Sequence, residues 1–299
     1  MVIIGGGPAG LTAGLYTSRA RINSLLLEKG LVGGQIADTE QIDNYPGFPR
    51  GISGFELGQL VHQQATKYGL KIIIAEAAGI ELQREQKVIR SAEGDFTTKA
   101  VIIASGSERV KLDVLGEEKF TGKGVSYCAI CDAAFFKEKP VAVVGGGNAA
   151  LTEAIQLNKF ASKVTVIHRR NQLRATRILQ EKAFSEPKIE FLWDTTIEEI
   201  AGKDLVERIR LRQVKTGQQS ALDVAGVFIS IGFKPNTDYL KSVLPLDATG
   251  AIITNDELET EIPGIFAAGD IRHHSARQAI TAAGDGAAAA IYAEKYLAE

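Results

Sequence analysis

The chain has 299 residues, 45% of them hydrophobic, and a formal net charge of −2. That length is comfortable for two domains, no apolar run approaches the roughly 18 residues that span a bilayer, and no basic stripe invites nucleic acid. Met1 runs straight into Val2-Ile3-Ile4 and a glycine loop, so no signal peptide is expected and the chain reads as a cytoplasmic, soluble protein without a membrane partner.

The first elements read as strand, tight turn, helix, strand. Val2-Ile3-Ile4 enters Gly5-Gly6-Gly7-Pro8-Ala9-Gly10; helix periodicity follows from Leu11 to Ala20; Ser24-Leu25-Leu26-Leu27-Glu28 is a short buried strand ending in an acid. In such a βαβ opening Gly5 permits the turn, Gly7 lets backbone approach a pyrophosphate, and Gly10 lets helix and strand pack closely. Glu28, 18 residues after Gly10, stands where an acid meets a ribose hydroxyl. The first loop is therefore expected to bind a dinucleotide. Further on, Ala100-Val101-Ile102-Ile103-Ala104-Ser105-Gly106 is an apolar strand with a polar exit from Ser107 to Lys111.

The only two cysteines lie in Tyr127-Cys128-Ala129-Ile130-Cys131-Asp132. Two thiols cannot build a four-thiolate zinc site, and none of the four histidines has zinc-ligand spacing to them; His273 and His274 are expected to point in different directions, so no metal is expected. In a reducing compartment a lone C-x-x-C reads as a redox pair. A helix from Ala133 to Lys137 would place one sulfur over free N–H groups and lower its thiolate pKa.

The βαβ plan then recurs about 140 residues after its first copy. Val141-Ala142-Val143-Val144 enters Gly145-Gly146-Gly147-Asn148-Ala149-Ala150, a helix runs from Ala149 to Phe160, and the strand Lys163-Val164-Thr165-Val166-Ile167 ends in His168-Arg169-Arg170, with Arg174 one turn on. Basic residues in place of an acid suit a 2′-phosphate, so this loop is expected to take NADPH. Val227-Phe228-Ile229-Ser230-Ile231-Gly232 repeats the earlier strand with a polar exit through Phe233-Lys234-Pro235-Asn236, and Gly264-Ile265-Phe266-Ala267-Ala268 precedes Gly269-Asp270 and an alanine-rich helix. The fold class expected is α/β, with two Rossmann-like nucleotide-binding domains. The second is inserted: residues 1–109 and 235–299 form a discontinuous domain around residues 110–234.

Together these segments resemble the low-molecular-weight thioredoxin reductases. The glycine loop Gly5–Gly10 looks like that family's FAD loop; Gly33-Gly34-Gln35-Ile36 and Asn44-Tyr45-Pro46-Gly47 look like its second FAD-contacting stretch; Phe266–Asp270 with Arg277-Gln278-Ala279 looks like its closing FAD motif. The resemblance implies a homodimeric FAD enzyme that moves electrons from NADPH to FAD, to a disulfide and to thioredoxin. It implies FAD contacts at Gly5, Gly7, Pro8, Ala9, Gly10, Glu28, Gly34, Gln35, Asn44, Gly269, Asp270, Arg277, Gln278 and Ala279. It implies NADPH contacts at Gly145, Gly147, Asn148, Ala149, His168, Arg169, Arg170 and Arg174. Cys131 would face the flavin, Cys128 would attack the partner disulfide, and Asp132 would act as general acid, although a helix-start acid reads the same way in sequence. The inserted domain would swivel about its two linkers.

Family members usually carry glycine and then an aromatic after the redox aspartate; Ala133-Ala134 before Phe135-Phe136 departs from this on the surface expected to meet the partner, and Ser105 replaces a usual threonine. Competing readings are a related flavoprotein disulfide reductase, a dithiol oxidase, or a non-enzymatic flavin- or NADPH-binding protein with incidental cysteines.

Overall fold

The computed structural model describes residues 1–39, 41–240 and 242–298. The chain divides into two compact units, Met1–Glu108 with Lys234–Glu299, and Arg109–Phe233. The first unit opens with β1 (Val2–Ile4), α1 (Pro8–Arg19), β2 (Leu25–Glu28), α2 (Gly54–Thr66) and β3 (Lys71–Ile74). An antiparallel meander follows, β4 (Gly79–Gln83), β5 (Gln86–Arg90) and β6 (Phe96–Thr98), then β7 (Val101–Ile103) and β8 (Ser107–Arg109). β1 and β7 both read Val-Ile-Ile and are buried throughout. Such unalternating runs belong in the middle of a parallel sheet covered on both faces. α1 starts earlier than its apolar periodicity predicts, because Pro8 takes the first helical position behind an extended Gly7. α2 starts on a Ser53 N-cap, with the Glu56 N–H donating to Ser53 Oγ at 3.1 Å.

The second unit runs through α3 (Glu117–Phe120), β9 (Val125–Ser126), α4 (Ala129–Asp132), β10 (Pro140–Val144), α5 (Asn148–Leu157), β11 (Lys163–Ile167), α6 (Arg177–Ser185) and β12 (Ile189–Leu192). It continues with β13 (Thr195–Ala201), β14 (Arg208–Gln213), β15 (Gln219–Asp223), β16 (Gly226–Ile229) and β17 (Phe233–Pro235), the last crossing back to the first unit. Its main sheet is parallel, in the order β12-β11-β10-β16-β9, and β13-β14-β15 form an antiparallel meander. Val141, Val143, Leu151, Val164, Val166 and Phe228 make the core between this sheet and α5.

The returning chain adds β18 (Ile265–Ala267) and α7 (Ala279–Ala298) to the first unit. Its parallel sheet has the order β18-β7-β1-β2-β3. α7 lies backbone to backbone on α1: a Cβ on Gly286 would sit 2.0 Å from the Ala9 carbonyl oxygen. Ile3, Leu11, Leu26, Ile102 and Phe266 fill the space between helices and sheet. Each unit is thus a five-stranded parallel sheet with a three-stranded antiparallel meander, the same plan twice.

Candidate redox site

In the first unit the glycine loop joins β1 to α1. Gly5 has φ +106°, and a Cβ on Gly10 would lie 1.8 Å from the Gly5 carbonyl oxygen, so any side chain there would force the turn apart. α1 has no side-chain cap and no acid in its first turn. The N–H groups of Pro8's successors, Ala9 and Gly10, therefore meet the loop mouth as donors for an anion. Glu28 ends β2 beside this loop, its carboxylate accepting the N–H of Gly6 at 2.5 Å and of Gly30 at 2.8 Å.

The chain-distant parts of this site meet. Gln35, in a short 3₁₀ turn at Gly34–Asp38, donates to the Ser107 carbonyl. Asn44 Nδ2 donates to Gln278 Oε1 at 3.1 Å, just before α7 begins at Ala279. Asp270 sits in the 3₁₀ turn Gly269–Ile271 and accepts the Ser275 hydroxyl at 3.0 Å; Arg277, with φ +53°, donates its N–H to the same hydroxyl. Sequence reasoning missed the clamp behind this turn. Asp285 on α7 accepts the Gly269 N–H at 3.0 Å and Arg272 through both oxygens, at 2.6 and 2.8 Å. A lone acid between Gly284 and Gly286 in an alanine-rich helix was the available signal.

In the second unit β10 leads through the second glycine loop into α5, again with no side-chain cap and no acid in the first turn. A Cβ on Gly147 would meet nothing within 4 Å, so the loop leaves open space at the helix start. His168 lies under the loop: a Cβ on Gly146 would sit 2.3 Å from its ring. Burial holds the His168 imidazole below its usual range, and its Nε2 lies 2.9 Å from the Gln172 carbonyl. The Gly146 carbonyl accepts the N–H of Arg174 at 2.7 Å and of Ala175 at 3.1 Å, which fixes Arg174 against the loop. Arg169, Arg170 and Arg174 are exposed, and among the described residues no carboxylate pairs with them. Asn148 Oδ1 accepts the Thr176 N–H at 2.8 Å. The donor sets of both loops, uncapped helix starts with three unpaired arginines at one of them, fit dinucleotide phosphates.

Cys128 and Cys131 are joined as a disulfide, Cα atoms 5.3 Å apart. The helical turn lies between them rather than after them: α4 spans Ala129–Asp132, and a 3₁₀ turn occupies Ala133–Phe136, where the sequence predicts the helix. Cys128 is itself the N-cap, its Sγ accepting the Cys131 N–H at 3.2 Å, so the pair closes the turn that it starts. Both sulfur residues are half-buried, flanked by Ile130 and Phe135, which are 68% and 52% exposed.

Buried polar groups hold this turn. Ser126 on β9 donates to Asp132 Oδ2 at 2.6 Å and accepts the Cys128 N–H at 3.1 Å. Tyr127 donates at 2.7 Å to Glu117, a buried carboxylate that also takes the N–H of Leu112 and Asp113. The Arg109 guanidinium lies over the Tyr127 ring, 5.0 Å from its centre. Glu153, on α5, faces the Ser230 hydroxyl, the Ala129 N–H and Arg109, and burial pushes its carboxyl up to about 7. Ser126 and Glu153 carry no motif signal.

His273 and His274 do not point apart as expected; their rings touch edge to face, 4.6 Å between centres. Among the described residues no cluster of three or more His, Cys, Asp or Glu side chains could hold a metal, and no helix is long and apolar enough to cross a membrane.

Residues 1–286 match the family described as pyridine nucleotide-disulphide oxidoreductase. The chain is 45% identical to the thioredoxin reductase of Bacillus subtilis (strain 168), covering 100% of this chain and 95% of that protein. The crystal structure of thioredoxin reductase from Streptococcus pyogenes superposes with a TM-score of 0.95 at 45% identity, covering 99% of this chain and 97% of that one. The thioredoxin reductase from Giardia duodenalis gives a TM-score of 0.95 at 36% identity, covering 100% of this chain and 98% of that one.

Proposed function

The chain belongs to the pyridine nucleotide-disulphide oxidoreductases, and among them to the thioredoxin reductases, and on that premise we propose that it passes electrons from NADPH through FAD and the Cys128–Cys131 disulfide to oxidised thioredoxin. The observation that carries this reading is the disulfide closing a helical turn in the unit that also holds the arginine-flanked glycine loop. When bound, FAD would supply the two-electron chemistry that links a nicotinamide hydride donor to a disulfide.

The residues divide the work. Gly5, Gly7, Pro8, Ala9 and Gly10 cradle the FAD pyrophosphate, with Glu28 at the ribose. Gly34, Gln35, Asn44, Gly269, Asp270, Arg277, Gln278 and Ala279 line the rest of that cofactor. Gly145, Gly147, Asn148 and Ala149 would present the second helix start to NADPH and Arg169, Arg170 and Arg174 would form its 2′-phosphate pocket, while His168, buried beneath the loop, supports it from below. Residues 1–109 and 235–299 are the FAD domain and residues 110–234 the NADPH domain; the compact division at 108/109 and 233/234 supports this.

Once reduced, the pair gives a thiolate at Cys128 that attacks the thioredoxin disulfide, and Cys131 resolves the mixed disulfide. Asp132, oriented by Ser126, supplies the proton to the departing thiolate. The protein works as a cytoplasmic homodimer.

An anaerobic titration tests the scheme. NADPH bleaches the flavin absorbance, and oxidised thioredoxin then restores it. A flavin that stays bleached after thioredoxin is added would remove thioredoxin as the acceptor.

A further inference from the structure

Glu153 has no part in the route above, yet its carboxyl lies behind the redox turn. Oε2 is the one carboxylate oxygen among the described residues that is buried without a hydrogen-bond partner. α5 packs directly on α4, and Ala129, Ala133, Leu151 and Ala154 share one core. The donors facing the carboxyl are the Ser230 hydroxyl, just beyond β16, and the Ala129 N–H, the first of α4.

The charged surroundings are few. Arg109, on β8, is the ionised side chain that acts on Glu153. On α4, Asp132 accepts the Ser126 hydroxyl. β10 contributes buried apolar residues to the helix, and β11 adds Thr165, while Lys163 at its start pairs with Glu190 at 2.8 Å. On α6, Arg177, Glu181 and Lys182 are exposed.

Free N–H groups at a helix start favour a thiolate beside them, and a like charge disfavours it. We propose that Glu153 is a positioning residue of the redox turn: facing the first N–H of α4, its carboxylate opposes a thiolate at the dithiol and so sets how readily the reduced pair ionises. The proposal rests on the reading that Cys128 and Cys131 cycle between disulfide and dithiol. With Glu153 titrating at about 7, its opposing charge is present above that pH and absent below it.

The test is alkylation of the NADPH-reduced flavoprotein by iodoacetamide across the range from about pH 5 to about pH 9, in the wild type and in Glu153→Gln, with the modified cysteine identified by mass spectrometry. Glutamine keeps the shape and removes the charge. Below about pH 6 the two rate profiles should coincide. Above that the wild type should lag, reaching its plateau about one pH unit later, on the order of a tenfold difference in thiolate population. Profiles that superimpose throughout, or a variant that lags behind the wild type, would overturn the proposal. Ser230→Ala gives a second arm that does not depend on the folding of Glu153→Gln. Losing that donor should move the onset of the lag to higher pH, and an unchanged onset would overturn the proposal. If NADPH produces no alkylatable thiol in the wild type, the dithiol reading beneath the proposal falls with it.

Discussion

Ser126 Oγ lies 2.6 Å from Asp132 Oδ2 and accepts the Cys128 N–H at 3.1 Å, so one buried hydroxyl ties both ends of the redox turn. The hydroxyl donates to the carboxylate at the shorter distance, with the Cys128 carbonyl a longer second acceptor at 3.5 Å. Ser126→Ala should slow transfer from the dithiol to thioredoxin by roughly tenfold, the loss of a charge-assisted bond of about 1.5 kcal/mol. Flavin reduction by NADPH should not change. Stopped-flow measurement of the two half-reactions checks this, and Ser126→Thr, which keeps a hydroxyl, should recover part of the rate.

Asp285→Ala should weaken FAD binding without touching the cofactor loop itself. The substitution strands the Gly269 N–H and leaves Arg272 unpaired, its side chain only 20% exposed. Breaking a partly buried pair from one side costs about 2–4 kcal/mol, and part of that falls on the turn carrying Asp270. The fraction of FAD retained after gel filtration, and the apoprotein's affinity on reconstitution, should both fall. NADPH affinity should hold, since the second glycine loop lies in the other unit.

Replacing Arg169 and Arg174 by alanine should raise KM for NADPH far more than for NADH. Each charge-assisted contact to a phosphate is worth about 1.5–3 kcal/mol, roughly tenfold or more in affinity. Steady-state kinetics with both nucleotides decides it. Equal use of the two by the unmutated enzyme would contradict the assignment of the exposed arginines to a 2′-phosphate.

Glu153→Gln should stabilise the protein at alkaline pH and not at acid pH. A carboxyl raised from 4.5 to about 7 in the folded state binds its proton more tightly there than in the unfolded chain. Its contribution is fully present below about pH 4.5 and is lost as pH rises through about 7. Above that the wild type carries a buried charge costing on the order of 3 kcal/mol at most. Thermal melts of the flavoprotein at about pH 8 should favour the variant, and the gap should close toward about pH 5.

Much of this architecture was legible because its causes are local. Gly10 is fixed by its contact with Gly5 in the same loop, and the Val-Ile-Ile strands declare their burial by lacking alternation. The position of the redox turn was less legible. The apolar Ala133–Phe136 stretch suggests a helix, but the chain turns earlier because Cys128 caps its own segment through Sγ. Glu28 was legible as the acid at the end of β2, but not its grip on the Gly6 and Gly30 amides. Asp285, Ser126 and Glu153 stayed hidden for a common reason. Their partners, Gly269 and Arg272, Asp132, and Ala129, come to them only through packing or turn geometry. Spacing in sequence does not encode those meetings.

The central claim is that Cys128 and Cys131 form the transferable disulfide, and Cys128→Ser tests it most directly. The variant is purified with FAD, mixed with NADPH, and then offered thioredoxin from the same organism, because the exposed Ala134 alters the surface beside the turn. The flavin should still bleach with NADPH, since that step needs no thiol, while thioredoxin reduction should fall to background. Thioredoxin reduction by Cys128→Ser at near wild-type rate would make the disulfide structural and the assigned function wrong.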